Sequence, residues 1–302
     1  MASKLPARIT KLKEEKNAII LAHNYQLDEV QAIADYTGDS LGLSQKAAQT
    51  EAEVIVFCGV DFMAESAAIL SPDKTVLLPA YNAGCPMAEM ITVEELQNKK
   101  SQHPEAAVVC YVNSSAAIKA ESDICCTSSN AVEIVESIAS EKIIFVPDKN
   151  LGNYVASQTD KEIICWDGYC PTHHRVTAKD VDKVKEAQPQ APVVVHPECR
   201  PEVVKTADYV GSTAQILEFA SKSNAETIII GTEQGLFYRL NQANSAQKFY
   251  LLNQGLICQN MKLTSLIDIA EALENLQHQI TVPEETRIKA QSTLDKMLEL
   301  SN

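Results

Sequence analysis

Short apolar runs rich in Val and Ile recur along the chain, and each is separated from the next by a longer stretch with helical spacing. The runs are AIILA (18–22), EVIVFC (53–58), TVLLP (75–79), AVVCYV (107–112), KIIFV (142–146), EIICW (162–166), PVVVH (192–196), TIIIG (227–231) and FYLLN (249–253). A short continuous apolar run, with no polar alternation, suits a strand covered on both faces. Regular exchange of such runs with amphipathic segments predicts an α/β protein built on short parallel sheets.

Polar residues placed against these runs repeat with a period. His23 and Tyr25, Tyr111 and Asn113, and His196 and Glu198 each follow an opening strand, at offsets of 88 (23 to 111) and 85 (111 to 196). Residues i and i+2 of an extended chain point to one side, so each pair presents two polar groups together. A hydroxyl-rich turn follows each pair: Thr37-Gly38-Asp39-Ser40, Thr127-Ser128-Ser129-Asn130 and Gly211-Ser212-Thr213. Such residues cap helices, and helix N-termini attract anions. Cys85, Cys170 and Cys258 close the pattern at offsets of 85 and 88.

The repeat predicts three homologous α/β/α units, 1–85, 86–170 and 171–258, arranged with pseudo-threefold symmetry around one central site. Ligands bind at the carboxyl ends of strands in such sheets, where the repeated residues sit. The remaining 259–302 reads as helical, with SLIDIAEALENLQ amphipathic and a second helix starting near Pro283, and is expected to pack on the first unit. No Pro/Gly/Ser-rich linker separates the units.

Composition narrows the function. A net charge of −14 over 302 residues disfavours nucleic acid and anionic membranes as partners. The N-terminus has no apolar signal region and no stretch reaches a membrane span, so the cytoplasm is the expected location. Nine cysteines in such a compartment point to metal ligation, catalysis or burial and not to disulfides.

Only Cys85, Cys170 and Cys258 obey the period, and Gly84, Gly168 and Gly255 near them let the backbone approach a bulky ligand. Three thiolates suit an iron–sulfur cluster with one iron left open to substrate. They suit equally zinc held by three cysteines and His173. Cys58, Cys110 and Cys165 read as core residues, Cys125-Cys126 as too strained to bridge, and Cys199 as a bystander.

AHNYQ (22–26), GDS (38–40), GCPMA (84–88), YVN (111–113), CTSSNA (126–131), CPTH (170–173), HPEC (196–199), GST (211–213) and the segment Gln254 to Cys258 resemble the quinolinate synthase family, in register over nearly the whole chain. The resemblance implies three pseudo-symmetric domains and one [4Fe-4S] cluster on Cys85, Cys170 and Cys258. It implies condensation of iminoaspartate with dihydroxyacetone phosphate to quinolinate, releasing phosphate and two waters, in NAD biosynthesis. An aspartate oxidase or dehydrogenase is the functional partner that such chemistry needs. The Cys-x-x-Cys that some members carry near the C-terminus is missing, since no cysteine follows Cys258.

By that resemblance Ser40, Ser128 and Thr213 bind the substrate anions; ordinary helix capping is the plain alternative for each. His23 and His196 contact substrate anion or carbonyl, Tyr111 and Asn113 orient it, and His173 lies near the departing phosphate. Tyr25 and Glu198 are the candidates for proton transfer, Glu198 as a base if burial raises its pKa. The plain alternative for Glu198 is an ion pair with Arg200 or another cation, and for Tyr25 a surface-lining aromatic. His103 and His278 read as solvated. Three other functions compete: another hydro-lyase with an open iron, a metal- or cluster-binding sensor or carrier without catalysis, which would not need the acid–base groups, and, weakest, a purely structural zinc protein.

Overall fold

Three separate four-stranded sheets, each parallel throughout, make the framework of the computed structural model, which describes residues 4–301. The first holds β1 (Ala18–His23), β2 (Tyr36–Gly38), β3 (Val54–Cys58) and β4 (Thr75–Leu77), in the order β2-β1-β3-β4. The second holds β5 (Ala107–Tyr111), β6 (Ile124–Cys126), β7 (Lys142–Val146) and β8 (Glu162–Cys165), ordered β6-β5-β7-β8. The third repeats the order as β10-β9-β11-β12, from β9 (Val193–Val195), β10 (Tyr209–Val210), β11 (Thr227–Gly231) and β12 (Lys248–Leu251).

Both faces of a sheet are covered, as the unbroken apolar runs require. Leu21, Ile55 and Phe57 enter one core cluster, while their neighbours Ile20, Val54, Val56 and Cys58 enter another on the opposite face. Val193 and Val195 likewise part from Val194.

The second strand of each repeat, β2, β6 and β10, is an edge strand of two or three residues, too short to show a period in the sequence. One aspartate anchors each of them. Asp35 donates its N–H to the Ile20 carbonyl (2.9 Å) and accepts the Ile20 N–H on Oδ2 (2.8 Å). Asp123 makes the same pair of bonds with Val108 (3.0 and 2.7 Å), and Asp208 with Val193 (2.8 and 2.8 Å). The side chain supplies the acceptor that a longer strand would have provided.

The C-terminal segment divides between two sheets. The helix Leu266–Asn275 buries Ile269, Ala270 and Leu273 in the first unit's core, as expected. The helix Glu284–Leu300, which does start after Pro283, buries Ala290, Leu294 and Met297 with Ile118, Ile124 and Cys125 of the second. This corrects the expectation that the whole tail packs on the first unit. The helix Ala116–Ala120 has only five residues and leaves that face of the second sheet to be covered from elsewhere.

The first and second units are joined next to the strand ends. Lys119, wholly buried, donates to the Ser114 and Phe62 carbonyls, while Glu65 accepts the Ala116 N–H (2.7 Å). No helix among the described residues is long and apolar enough to cross a membrane. The buried stripe of the last helix predicts that Leu294→Ala lowers unfolding free energy by roughly 2–5 kcal/mol in denaturant titration. Ile288→Ala on the exposed face of the same helix should change it by less than about 0.5 kcal/mol.

Candidate active site

Carboxyl ends of strands from all three sheets open on one cavity of about 70 Å³. His23, Tyr25, Ser40, Tyr111, Asn113, Ser128, His173, His196, Glu198 and Thr213 line it together with Cys85, Cys170 and Cys258. All thirteen candidate substrate-binding, acid–base and cysteine residues thus reach one space. Val60, Phe62 and Met63 give it an apolar wall.

Glu198, 3% exposed, is the hub. Its Oε2 lies 2.6 Å from His173 Nδ1 and 3.6 Å from His196 Nδ1, and its Oε1 accepts from Asn113 Nδ2 at 3.5 Å. The His173 and His196 rings stack at 4.7 Å. Arg200 turns away, to the His174 carbonyl and Glu202, so the ion pair with Glu198 does not form.

Hydrogen bonds set the tautomers. His173 Nδ1–H donates to Glu198, so its Nε2 accepts from Thr232 Oγ1 at 2.9 Å. The Thr232 hydroxyl then accepts from Tyr25 OH at 2.6 Å. His196 Nδ1 accepts the Glu198 N–H (3.3 Å), which leaves Nε2–H to donate to Ser128 Oγ at 3.1 Å. His23 Nδ1 accepts the Tyr25 N–H at 3.2 Å, so its Nε2 is the protonated nitrogen.

Burial sets the charges. It pushes His23 down to about 3, helped by His196 and Lys262, and pushes His196 down to about 3 as well. Both are neutral hydrogen-bonding groups near neutral pH. Burial, then Glu198, pushes the Tyr25 and Tyr111 phenols well above their ordinary value. Burial alone would raise Glu198, but His173 and His196 outweigh it and hold the carboxyl down to about 2. The expected direction for Glu198 is therefore reversed, because the sequence does not show two imidazoles placed beside its carboxylate.

Ser40 and Thr213 are the first residues of the helices Ser40–Gln49 and Thr213–Lys222, whose N-caps are Asp39 and Ser212. Ser128 lies just before the helix Ala131–Ser137. Thr213 Oγ1 accepts from Asn24 Nδ2 at 2.9 Å. Asn113 Oδ1 is buried with no partner among the described residues, an acceptor left over at the cavity wall.

Thr232, Glu233 and Lys262 escaped the sequence reading. Glu233 lines the cavity and pairs with Lys262 at 3.0 Å. The period does not mark Thr232, because its counterparts in the other units are not hydroxyl residues. His174 bonds Asn150 at 3.0 Å, and His278 sits by the Pro79 carbonyl. Cys58, Cys110, Cys125, Cys126 and Cys199 are buried, whereas Cys165, expected in the core, is only half-buried on the edge strand β8.

The cysteine donors bear on which group they could hold. Zinc bonds thiolates at about 2.3 Å, which draws its ligands to within roughly 4 Å of one another. The compact set among the described residues is Cys170, His173 and Glu198, whose ligand atoms lie within 4.8 Å of one another; Cys85 and Cys258 stand outside it. Three cysteines that share a cavity without converging on a point fit a multi-iron cluster better than a Cys₃His ion. Burial raises all three thiols, Cys85 to about 12, so ligation would release protons.

Neutral imidazoles, protonated phenols and an ionised carboxylate gathered at strand ends define an enzyme of the α/β class that acts on a small molecule. The family model described as quinolinate synthetase A protein matches residues 7–299. Quinolinate synthases of Alkaliphilus metalliredigens (58% identical over 293 residues, 97% of each chain) and Methanosarcina barkeri (55% over 296 residues, 98% of this chain and 97% of that one) are similar throughout. That of Geobacter sp. strain M21 is 56% identical over 294 residues, 97% of each chain. The chain belongs to the quinolinate synthase family.

The neutral His23 has a consequence for pH. An unfolded histidine binds its proton near pH 6.5, whereas folded His23 does not until about 3. Between those values the unfolded state holds the extra proton, so stability falls as pH falls, by about 1.4 kcal/mol per pH unit per group. Denaturant titration of the apo protein should show this acid slope, and His23→Asn should reduce it by about one proton.

Proposed function

We propose that this enzyme condenses iminoaspartate with dihydroxyacetone phosphate to quinolinate, phosphate and two waters, with a [4Fe-4S] cluster on Cys85, Cys170 and Cys258. The observation that carries the reading is the meeting of one periodic cysteine from each repeat in the cavity that holds the acid–base groups. The repeated loops around that cavity favour three units of about 1–85, 86–170 and 171–258 related by pseudo-threefold symmetry. Family membership favours the same reaction, in the cytoplasm, with an aspartate oxidase or dehydrogenase supplying the short-lived imine.

A cluster with one iron free of cysteine would supply, when bound, a Lewis-acid site for a substrate oxygen. The protein's own groups divide the remaining work. Ser40 and Thr213, at the starts of ten-residue helices on the cavity, suit the carboxylates and phosphate, with Ser128 beside them. Neutral His23 offers its Nε2–H to an anion or carbonyl. The leftover Asn113 Oδ1 suits an imine or amine N–H. The line Tyr25 OH, Thr232 Oγ1, His173 Nε2 and, across the ring, Nδ1–H to Glu198 forms a relay. Along it Tyr25 can take a proton from substrate while its own proton passes through Thr232 to His173 Nε2, and the reverse shift delivers a proton to a departing hydroxyl. Glu198, held ionised, then orients His173 and stabilises its cationic form, acting less as the proton acceptor itself.

Iron and sulfide analysis of anaerobically reconstituted protein tests the cofactor: about four of each per chain are expected, and Cys170→Ala should lose both together with quinolinate formation. One zinc per chain would favour the compact Cys170, His173 and Glu198 set instead. Thr232→Val should keep the cluster and lower kcat by at least roughly 100-fold. Unchanged kcat would remove the relay.

A further inference from the structure

The loops that carry the three cavity cysteines are moored by one repeated backbone bond. Asp61 N–H donates to the Ala83 carbonyl (2.8 Å), Lys149 N–H to that of Gly168 (2.8 Å) and Gln234 N–H to that of Leu256 (2.9 Å). Each acceptor stands two residues before its cysteine. The residue preceding each donor breaks the symmetry: Val60, Asp148 and Glu233. Asp148 and Glu233 are both 0% exposed, and each accepts the N–H of the cysteine itself. Cys170 N donates to Asp148 Oδ2 (3.2 Å), and Cys258 N to Glu233 Oε1 (3.1 Å). Val60 has no acceptor for Cys85; that loop is held from outside, by Asn260 Nδ2 on the Gly84 carbonyl (2.6 Å).

We propose that Asp148 and Glu233 are positioning residues that fix Cys170 and Cys258 for the metal cluster; the inference rests on the iron–sulfur reading of the cavity. Each carboxylate ties its cysteine to a rigid strand–helix junction. Asp148 Oδ1 accepts from Asn150 N (2.7 Å) and Leu151 N (3.0 Å), capping the helix Lys149–Ala156. Glu233 Oε2 accepts from Gly235 N (2.7 Å) and from Lys262 (3.0 Å), which also bonds the Tyr25 carbonyl. Two of the three thiols are thus held in place by the protein, and less order has to be imposed when the metal binds. The Cys85 loop has the backbone bond and Asn260 but no carboxylate on its cysteine N–H.

Asp148→Asn separates the two duties of the side chain. Two helix N–H groups require the amide oxygen at Oδ1, so the amide –NH₂ must face the Cys170 N–H, donor against donor, while the cap survives. Glu233→Gln is the second variant. Asp167→Asn, an exposed carboxylate three residues before Cys170 and paired with Lys149, is the control of equal charge. After anaerobic reconstitution, the visible absorption of each is followed under a chelator, and the reduced cluster is examined by electron paramagnetic resonance. Asp148→Asn and Glu233→Gln should lose the cluster about ten-fold faster than wild type or more, with an altered resonance signal, while Asp167→Asn matches wild type. Wild-type retention and signal in both variants would overturn the positioning role, as would equal loss in Asp167→Asn or unfolding of both apo variants. A wild type that takes up no iron and sulfide would instead overturn the cofactor reading beneath it.

Discussion

A buried carboxylate has to be surrounded by donors, and Glu198 imposes that requirement on the centre of this protein. An unpaired charge at such depth would cost several kcal/mol, so the fold must deliver N–H and O–H groups to it. Asn113 comes from the loop after β5, His173 from the short helix after Cys170, and the Tyr111 hydroxyl from the end of β5. Elements far apart in the chain must dock correctly before Glu198 is satisfied. Assembly of the units and assembly of the site are for this reason one event.

Repetition supplies most of what the site needs. Parallel strands end together, so three copies of one unit bring three polar pairs, three hydroxyl-rich turns and three cysteine loops to a common cavity. The aspartates Asp35, Asp123 and Asp208 and the three loop-mooring bonds show that the copies agree in detail as well as in outline. Chemistry on an asymmetric substrate needs departures from that agreement. Thr232 joins Tyr25 to His173 where the other units have nothing comparable, and Val60 stands where the other units have carboxylates.

Burial tunes the site in a consistent direction. It keeps His23 and His196 uncharged and Tyr25 and Tyr111 protonated, so the wall offers neutral donors at neutral pH. A chain with net charge −14 can in this way present anionic substrates with N–H groups, hydroxyls and helix N-termini instead of a basic surface.

The sequence by itself determined the long buried strands, their parallel arrangement, the period and the residues that share the cavity, because each of these leaves a local mark. Unbroken Val/Ile runs mean two covered faces, and residues equivalent in a repeat occupy equivalent strand ends. The tertiary structure alone decided what depends on neighbours remote in the chain. The edge strands β2, β6 and β10 exist because aspartates latch them to a strand already formed. The last helix covers the second sheet because the helix Ala116–Ala120 is too short to do so. Thr232, Asp148 and Glu233 looked like ordinary loop residues until folding placed them beside Tyr25, Cys170 and Cys258. Glu198 is held ionised because two imidazoles lie beside its carboxylate, and electrostatics of that kind follows distances in space, which no spacing along the chain records.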